Sequence, residues 1–129
     1  MTDTRKVMPV NAIHQTAFIP DSAAIGHGNF LASGVRMGSH VKIGQHCIIN
    51  TGATIDYDVT CEDFVQIGAG ATINSGVTLK KSAFVGSGAI IVSGVEIGEN
   101  ARIGAGSVVI SDVAKGETVF GNPAKLIES

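Results

Sequence analysis

Between Ile43 and Gln66, IGQHCIINTGATIDYDVTCEDFVQ, the chain gathers side chains able to hold or move a proton. Asp56, Tyr57 and Asp58 set a phenol between two carboxylates, and His40 supplies an imidazole shortly upstream. Such a set suits general acid–base chemistry, in which a positioned side chain accepts a proton from a nucleophile as a bond forms. Side chains of this kind act only when a rigid scaffold brings them together.

That scaffold is written as a period of six. From Ile13 through Ile25, Met37, Ile55, Cys61 and Val85 to Val109, every sixth residue is apolar. Four places after each of these stands a small or β-branched residue, as in Ala17, Val35, Ala53, Val77 and Ala101, with Asn29 and Ser107 as polar exceptions. A fixed short period decides the architecture before local propensity does. Six residues do not build a 3.6-residue stripe, which excludes helix and leaves short strands joined at corners. Gly26, Gly38, Gly44, Gly68, Gly86, Gly98 and Gly104 follow the apolar starter, which suits either an unusual backbone angle or close approach between coils. The frame never slips from Ile13 to Val109, and beyond it the period dissolves into Ile110 to Gly121. Gly121, Asn122 and Pro123 read as a turn that stops the solenoid and covers its end.

The inward period also disposes of several functions. Cys47 and Cys61 fall on inward positions, so buried reduced thiols are expected rather than a disulfide or a nucleophile. A zinc site would need three converging imidazoles, and His40 and His46, one hexad apart, belong to different corners, so no metal is expected. GSGAII and GAGSVV lack the Gly-Lys-Ser/Thr of a phosphate loop and precede no helix pattern. Asp63, Lys81 and Glu99 recur at equivalent places and read as a solvated charge ladder. With 129 residues, a net charge of −2 and no basic run, the chain reads as one domain without nucleic-acid binding. No segment has the length or apolarity of a membrane span or signal peptide, so a cytoplasmic protein without membrane association is expected.

IGQHCIINTGATIDYD, DFVQIGAGATINSGV, FVGSGAIIVSGVEIG, ARIGAGSVV and GNPAKL resemble, in order and spacing, the hexapeptide-repeat acyltransferases, in particular the sugar O- and N-acetyltransferases of the sialic acid and bacillosamine pathways. The resemblance implies an all-β, single-stranded left-handed parallel β-helix with three six-residue sides per coil. The left hand comes from the resemblance alone, because the general crossover rule gives the opposite. Residues 1–11 are then an N-terminal extension, 12–114 the left-handed β-helix and 115–129 a C-terminal capping tail. Family members also carry an N-terminal nucleotide-like domain, whereas here the repeat begins at Ala12.

The resemblance further implies acetyl-CoA as acyl donor, lying in a groove between subunits of a homotrimer. Carried onto this chain, its contacts are Gln66, Ser75, Gly76, Gly86, Ser87 and Ala105, with Lys125 in the closing tail. The family's catalytic His sits in a Glu-His-Asp turn and a second His follows DFV; here those places hold Tyr57 and Gln66. With eighteen residues per coil, Asp58 stacks above His40 and Tyr57 above Ser39. His40 and Asp58 are therefore expected as a substitute dyad, with Tyr57 as the other candidate for the proton. Phe30, Ile48, Gln66, Phe84 and Arg102 form an outward column, largely apolar, expected to be the subunit interface. The expected activity is acyl transfer from acetyl-CoA to an amino or hydroxyl group of a sugar or nucleotide-sugar. The other reading is a trimeric β-helical scaffold or binding protein that lost the catalytic imidazole.

Overall fold

The computed structural model describes residues 10–127. The N-terminal extension therefore lies, for residues 1–9, outside the described residues, as do 128–129 of the tail. All of the strands are short because each hexad spends two residues on a side and four on a corner. The first face stacks Ala12–Ile13, Phe30–Leu31, Ile48–Ile49, Gln66–Ile67, Phe84–Val85 and Arg102–Ile103, then Thr118–Gly121. The second stacks Arg36–Met37, Thr54–Ile55, Thr72–Ile73, Ile90–Ile91 and Val108–Val109, and the third Ala24–Ile25, Lys42–Ile43, Thr60–Cys61, Thr78–Leu79 and Glu96–Ile97. All pairings among these strands are parallel, and the chain visits first, second and third face in turn, the arrangement of the left-handed parallel β-helix.

Successive strand residues point to opposite sides. The first of each pair therefore faces solvent and the second, the apolar starter of the hexad, fills the prism. Ile49, Ile55, Ile67, Ile73, Leu79, Ile91 and Ile97 are fully buried, each contributing about 1.5–3 kcal/mol against exposure. The small residue four places later fills the space inside each corner, as Ala53, Ala71 and Ala89 do. Cys47 and Cys61 are free and buried, as their inward positions required. Burial pushes both thiols up from their ordinary range, which leaves neither as a ready nucleophile.

The glycines divide into two jobs that the sequence pattern merges. Gly68, just after a starter, has an ordinary backbone angle, but a Cβ there would lie 2.7 Å from the Gly86 carbonyl carbon. The unusual angle falls two places further on, where Gly52 has φ +71° and open space around it. Among the described residues, six non-glycine residues take that same left-handed conformation: His40, His46, Asp58, Phe64, Ser82 and Asn100.

The two polar exceptions are explained by what they bond. Buried Asn29 inserts its amide into the corner of the next coil, donating from Nδ2 to Gly44 O (2.9 Å) and accepting from Cys47 N (2.7 Å). Asn11 does the same one coil earlier, to Gly26 O and Asn29 N. Buried Ser107 accepts the Gly121 N–H at 3.1 Å and so ties the closing hairpin to the prism.

Register is constant at eighteen residues from Ala12↔Phe30 to Ile91↔Val109, after which Ile97 bridges Val113 and Ile103 pairs with Val119, sixteen residues on. The loss of period after Val109 is thus a two-residue shortening, and Val113 and Val119 remain inward and buried. Thr118–Gly121 then turns through Asn122-Pro123 into antiparallel Ala124–Leu126. The hairpin covers the edge of the first face.

Candidate functional site

The candidate proton-handling residues share the corner between second and third faces. Tyr57 is half exposed there, its N–H donating to Asp56 Oδ1 at 2.8 Å. Asp58 N donates to Ser39 O (3.0 Å) and Gly76 N to Tyr57 O (3.1 Å), so Ser39, Tyr57 and Ser75 stack, as do His40, Asp58 and Gly76. His40 N donates to Ser22 Oγ at 3.0 Å. Among the described residues no hydrogen bond or ion pair joins His40 to Asp58, although the coil stacks them. Both are exposed and both have φ near +60°. Ser75 Oγ lies 3.2 Å from Ser93 Oγ, and Asn74 Nδ2 donates to Ile91 O at 2.8 Å, which extends this polar corner upward.

The remaining candidates lie elsewhere in the chain. Gly86, Ser87 and Ala105 occupy the corner between first and second faces, and Gly106 N donates to Ser87 O at 2.8 Å. A Cβ on Gly86 would meet Ala105 N at 2.6 Å, so only glycine lets these coils close there. Exposed Gln66 projects from the first face beside Phe84, and Lys125 stands opposite Phe120 on the closing hairpin. The chain therefore presents two groups: Tyr57, Asp58, His40, Ser75 and Gly76 on one corner, and Gln66, Gly86, Ser87, Ala105 and Lys125 on or beside the first face. The width of the second face separates them.

Two side-chain arrangements went unforeseen. The Arg102 guanidinium carbon sits 4.8 Å from the centroid of the Phe84 ring, a cation–π contact on the first face. On the third corner His46 stacks on Phe64 (5.4 Å) and meets His27 edge-on (5.7 Å). Phe84 and Arg102, like His46 and Phe64, are eighteen apart, and that separation was the available signal, whereas His27 and His46 are nineteen apart. Of the expected charge ladder, Glu99 pairs with Lys115 (3.5 Å), Asp63 Oδ1 accepts from Gln45 N, and the neighbouring Lys80 and Glu62 form a further exposed pair (3.8 Å). Among the described residues no three His, Cys, Asp or Glu are placed to hold a metal, and no helix is long and apolar enough to cross a membrane.

Residues 76–111 match the family described as bacterial transferase hexapeptide (six repeats). No curated protein sequence matches the chain. Among solved structures, it is similar to a histidine-to-alanine mutant of GDP-perosamine N-acetyltransferase from Caulobacter crescentus, in complex with CoA and GDP-perosamine. There the TM-score is 0.93 and the identity 36%, over 94% of this chain and 58% of that one. It is also similar to the acetyltransferase domain of PglB from Neisseria gonorrhoeae in complex with acetyl coenzyme A (TM-score 0.88, 31% identity, 91% of this chain, 57% of that one). WeeI from Acinetobacter baumannii matches with TM-score 0.87 and 31% identity, over 89% of this chain and 57% of that one. The chain thus spans somewhat more than half the length of these relatives. With the coil, the hexads and these likenesses together, the chain is a hexapeptide-repeat β-helix, matching the bacterial transferase hexapeptide family over residues 76–111 and similar along almost its whole length to sugar acetyltransferases.

Proposed function

We propose that the chain is an acetyl-CoA-dependent acyltransferase that works as a homotrimer on an amino or hydroxyl group of a sugar or nucleotide-sugar. The observation that carries this reading is the division of candidate residues between two corners of one protomer. A second copy docked on the first face would set one protomer's Tyr57 corner against the other's Gly86–Ser87–Ala105 corner. The exposed Phe30 and Ile48 on that face favour such docking.

In the proposed reaction the acceptor nitrogen or oxygen attacks the thioester carbonyl, its proton passes to the protein, and the carbon–sulfur bond breaks to release CoA. His40, oriented by Asp58, or the Tyr57 phenol takes the proton. Backbone N–H groups steady the oxyanion. Gln66, Ser75, Gly76, Gly86, Ser87, Ala105 and Lys125 hold the acyl donor, mostly through backbone and small side chains that leave room for an extended ligand. An amine arriving deprotonated makes the smallest demand on the base, which favours N-acylation where the family's imidazole is replaced by Tyr57. The chain works in the cytoplasm on this reading, where acetyl-CoA is supplied.

Calorimetric titration with acetyl-CoA tests the proposal, with sedimentation run on the same sample. Saturable binding by a trimer is expected. A stable monomer, or a trimer indifferent to acetyl-CoA, would leave the scaffold reading in its place.

A further inference from the structure

Ser75 and Ser93 stand one above the other on the corner between second and third faces, their hydroxyl oxygens 3.2 Å apart. Among the described residues each of these hydroxyls bonds only to the other. The coils that carry them are locked in register, since Gly76 N donates to Tyr57 O at 3.1 Å and Gly94 N to Ser75 O at 3.0 Å. Tyr57, Ser75 and Ser93 therefore follow one another in one column. Ser75 is half-buried within it, and Ser93 is exposed.

A serine hydroxyl offers one proton and two lone pairs. Exposed Ser93 has water for its remaining lone pairs. When it donates to Ser75 Oγ, the Ser75 proton is left to point away from the column, toward whatever lies on the corner. Accepting a hydrogen bond also polarises the Ser75 hydroxyl and makes it a stronger donor, by about 10–30% per bond. Such a donor, oriented beforehand, suits an oxygen that gains negative charge during reaction.

Position agrees with this chemistry. In acyl transfer the attacking atom and the developing oxyanion are bonded to the same carbon, so the group that takes the proton and the group that steadies the oxyanion must be neighbours. One strand spacing, about 4.8 Å, sets Ser75 above Tyr57 in this relation. His40 and Asp58 occupy the adjacent column of the same corner.

We propose that Ser75 is a catalytic residue whose hydroxyl donates a hydrogen bond to the thioester carbonyl oxygen, and that Ser93 is the positioning residue that orients and strengthens this donor. As the acceptor attacks, the carbonyl π pair moves onto oxygen, and the Ser75 O–H holds the charge without giving up its proton. The pair returns as the carbon–sulfur bond breaks, and the sulfur leaves as the thiol with the proton taken from the acceptor. The proposal rests on the acetyltransferase reading and gives the two hydroxyls separate parts in it.

The test needs no acceptor. Infrared difference spectra of acetyl-CoA, isotope-labelled at the thioester carbonyl and bound at saturation, are compared for the wild type, Ser75→Ala, Ser93→Ala, Ser93→Thr and the double alanine variant. The carbonyl stretch is expected at lower frequency in the wild type than in Ser75→Ala, between the two in Ser93→Ala, and back at the wild-type position in Ser93→Thr. The double variant should match Ser75→Ala, because Ser93 acts only through Ser75. Acetyl-CoA affinity, read by calorimetry, should fall no more than about tenfold in any single variant, the worth of one hydrogen bond. A stretch that is the same in wild type and Ser75→Ala overturns the catalytic part. A wild-type stretch in Ser93→Ala, or no recovery in Ser93→Thr, overturns the positioning part. Either result leaves the transferase standing, whereas failure of acetyl-CoA to bind the wild type removes the reading beneath both.

Discussion

His40→Asn is expected to slow acyl transfer by about a hundredfold while leaving acetyl-CoA affinity unchanged, since loss of a general base costs about 10²–10⁴-fold. Asparagine is the informative replacement because it tolerates the left-handed backbone that His40 adopts (φ 60°) and removes only the imidazole. In the structure the imidazole and the Asp58 carboxylate are stacked but not bonded. A catalytic hydrogen bond that is open without substrate commonly tightens when substrate arrives. A cofactor affinity that holds while turnover falls separates proton transfer from a merely structural role. The competing carrier is Tyr57, half exposed on the same corner. If His40→Asn leaves turnover intact and Tyr57→Phe abolishes it, the phenol carries the proton and the dyad is wrong.

Asn29→Ala should lower folding stability by about 2–6 kcal/mol, because it strands the Gly44 carbonyl and the Cys47 N–H at about 1–3 kcal/mol each. Asn29 is buried and its amide is inserted into a corner, so its removal also leaves a void between two coils. Ser107→Ala, which breaks only the single bond to Gly121 N, should cost less. Chemical denaturation of the two variants checks the order. A loss under about half a kcal/mol for Asn29→Ala would mean that the corner closes again through direct pairing, as Ala83 N and Lys80 O pair in a later coil.

Almost all of the interior was legible in the sequence, because a period of six with one apolar starter admits one assignment of inward positions. Ile55, Cys61 and Val85 needed no more than counting. The shortening after Val109 was not legible as such: Val113 and Val119 continue the inward series in a new phase, and counting by six steps over them. His40, Asp58 and Phe64 were not foreseen in the left-handed conformation, since glycine advertises that angle and those side chains do not.

For the candidate site, the repeat gives stacking but not contact. It sets His40 beneath Asp58, His46 beneath Phe64 and Phe84 beneath Arg102 in the same way. Only the last two pairs meet through their side chains, because rotamers, not register, decide what touches across a strand spacing. Gly86, Ser87 and Ala105, which the resemblance assigns to the acyl donor, fall together on one corner because glycine and small side chains are constrained by the corner itself. The proton carrier could not be placed in this way, because its turn departs from the family's at Tyr57.

The constant register also bears on how the chain folds. Pairings such as Ile49↔Ile67 join residues eighteen apart in a chain of 129, about 0.14 of its length, closer to mixed α/β domains than to β-sandwiches. Closing one coil never has to wait for a distant segment, and each coil rests only on the coils directly above and below it. Assembly can then start in the apolar middle, around Ile55 to Val85, and wind outward in both directions. The capping hairpin depends on that winding, since its tie to Ser107 exists only once the coil beneath has formed.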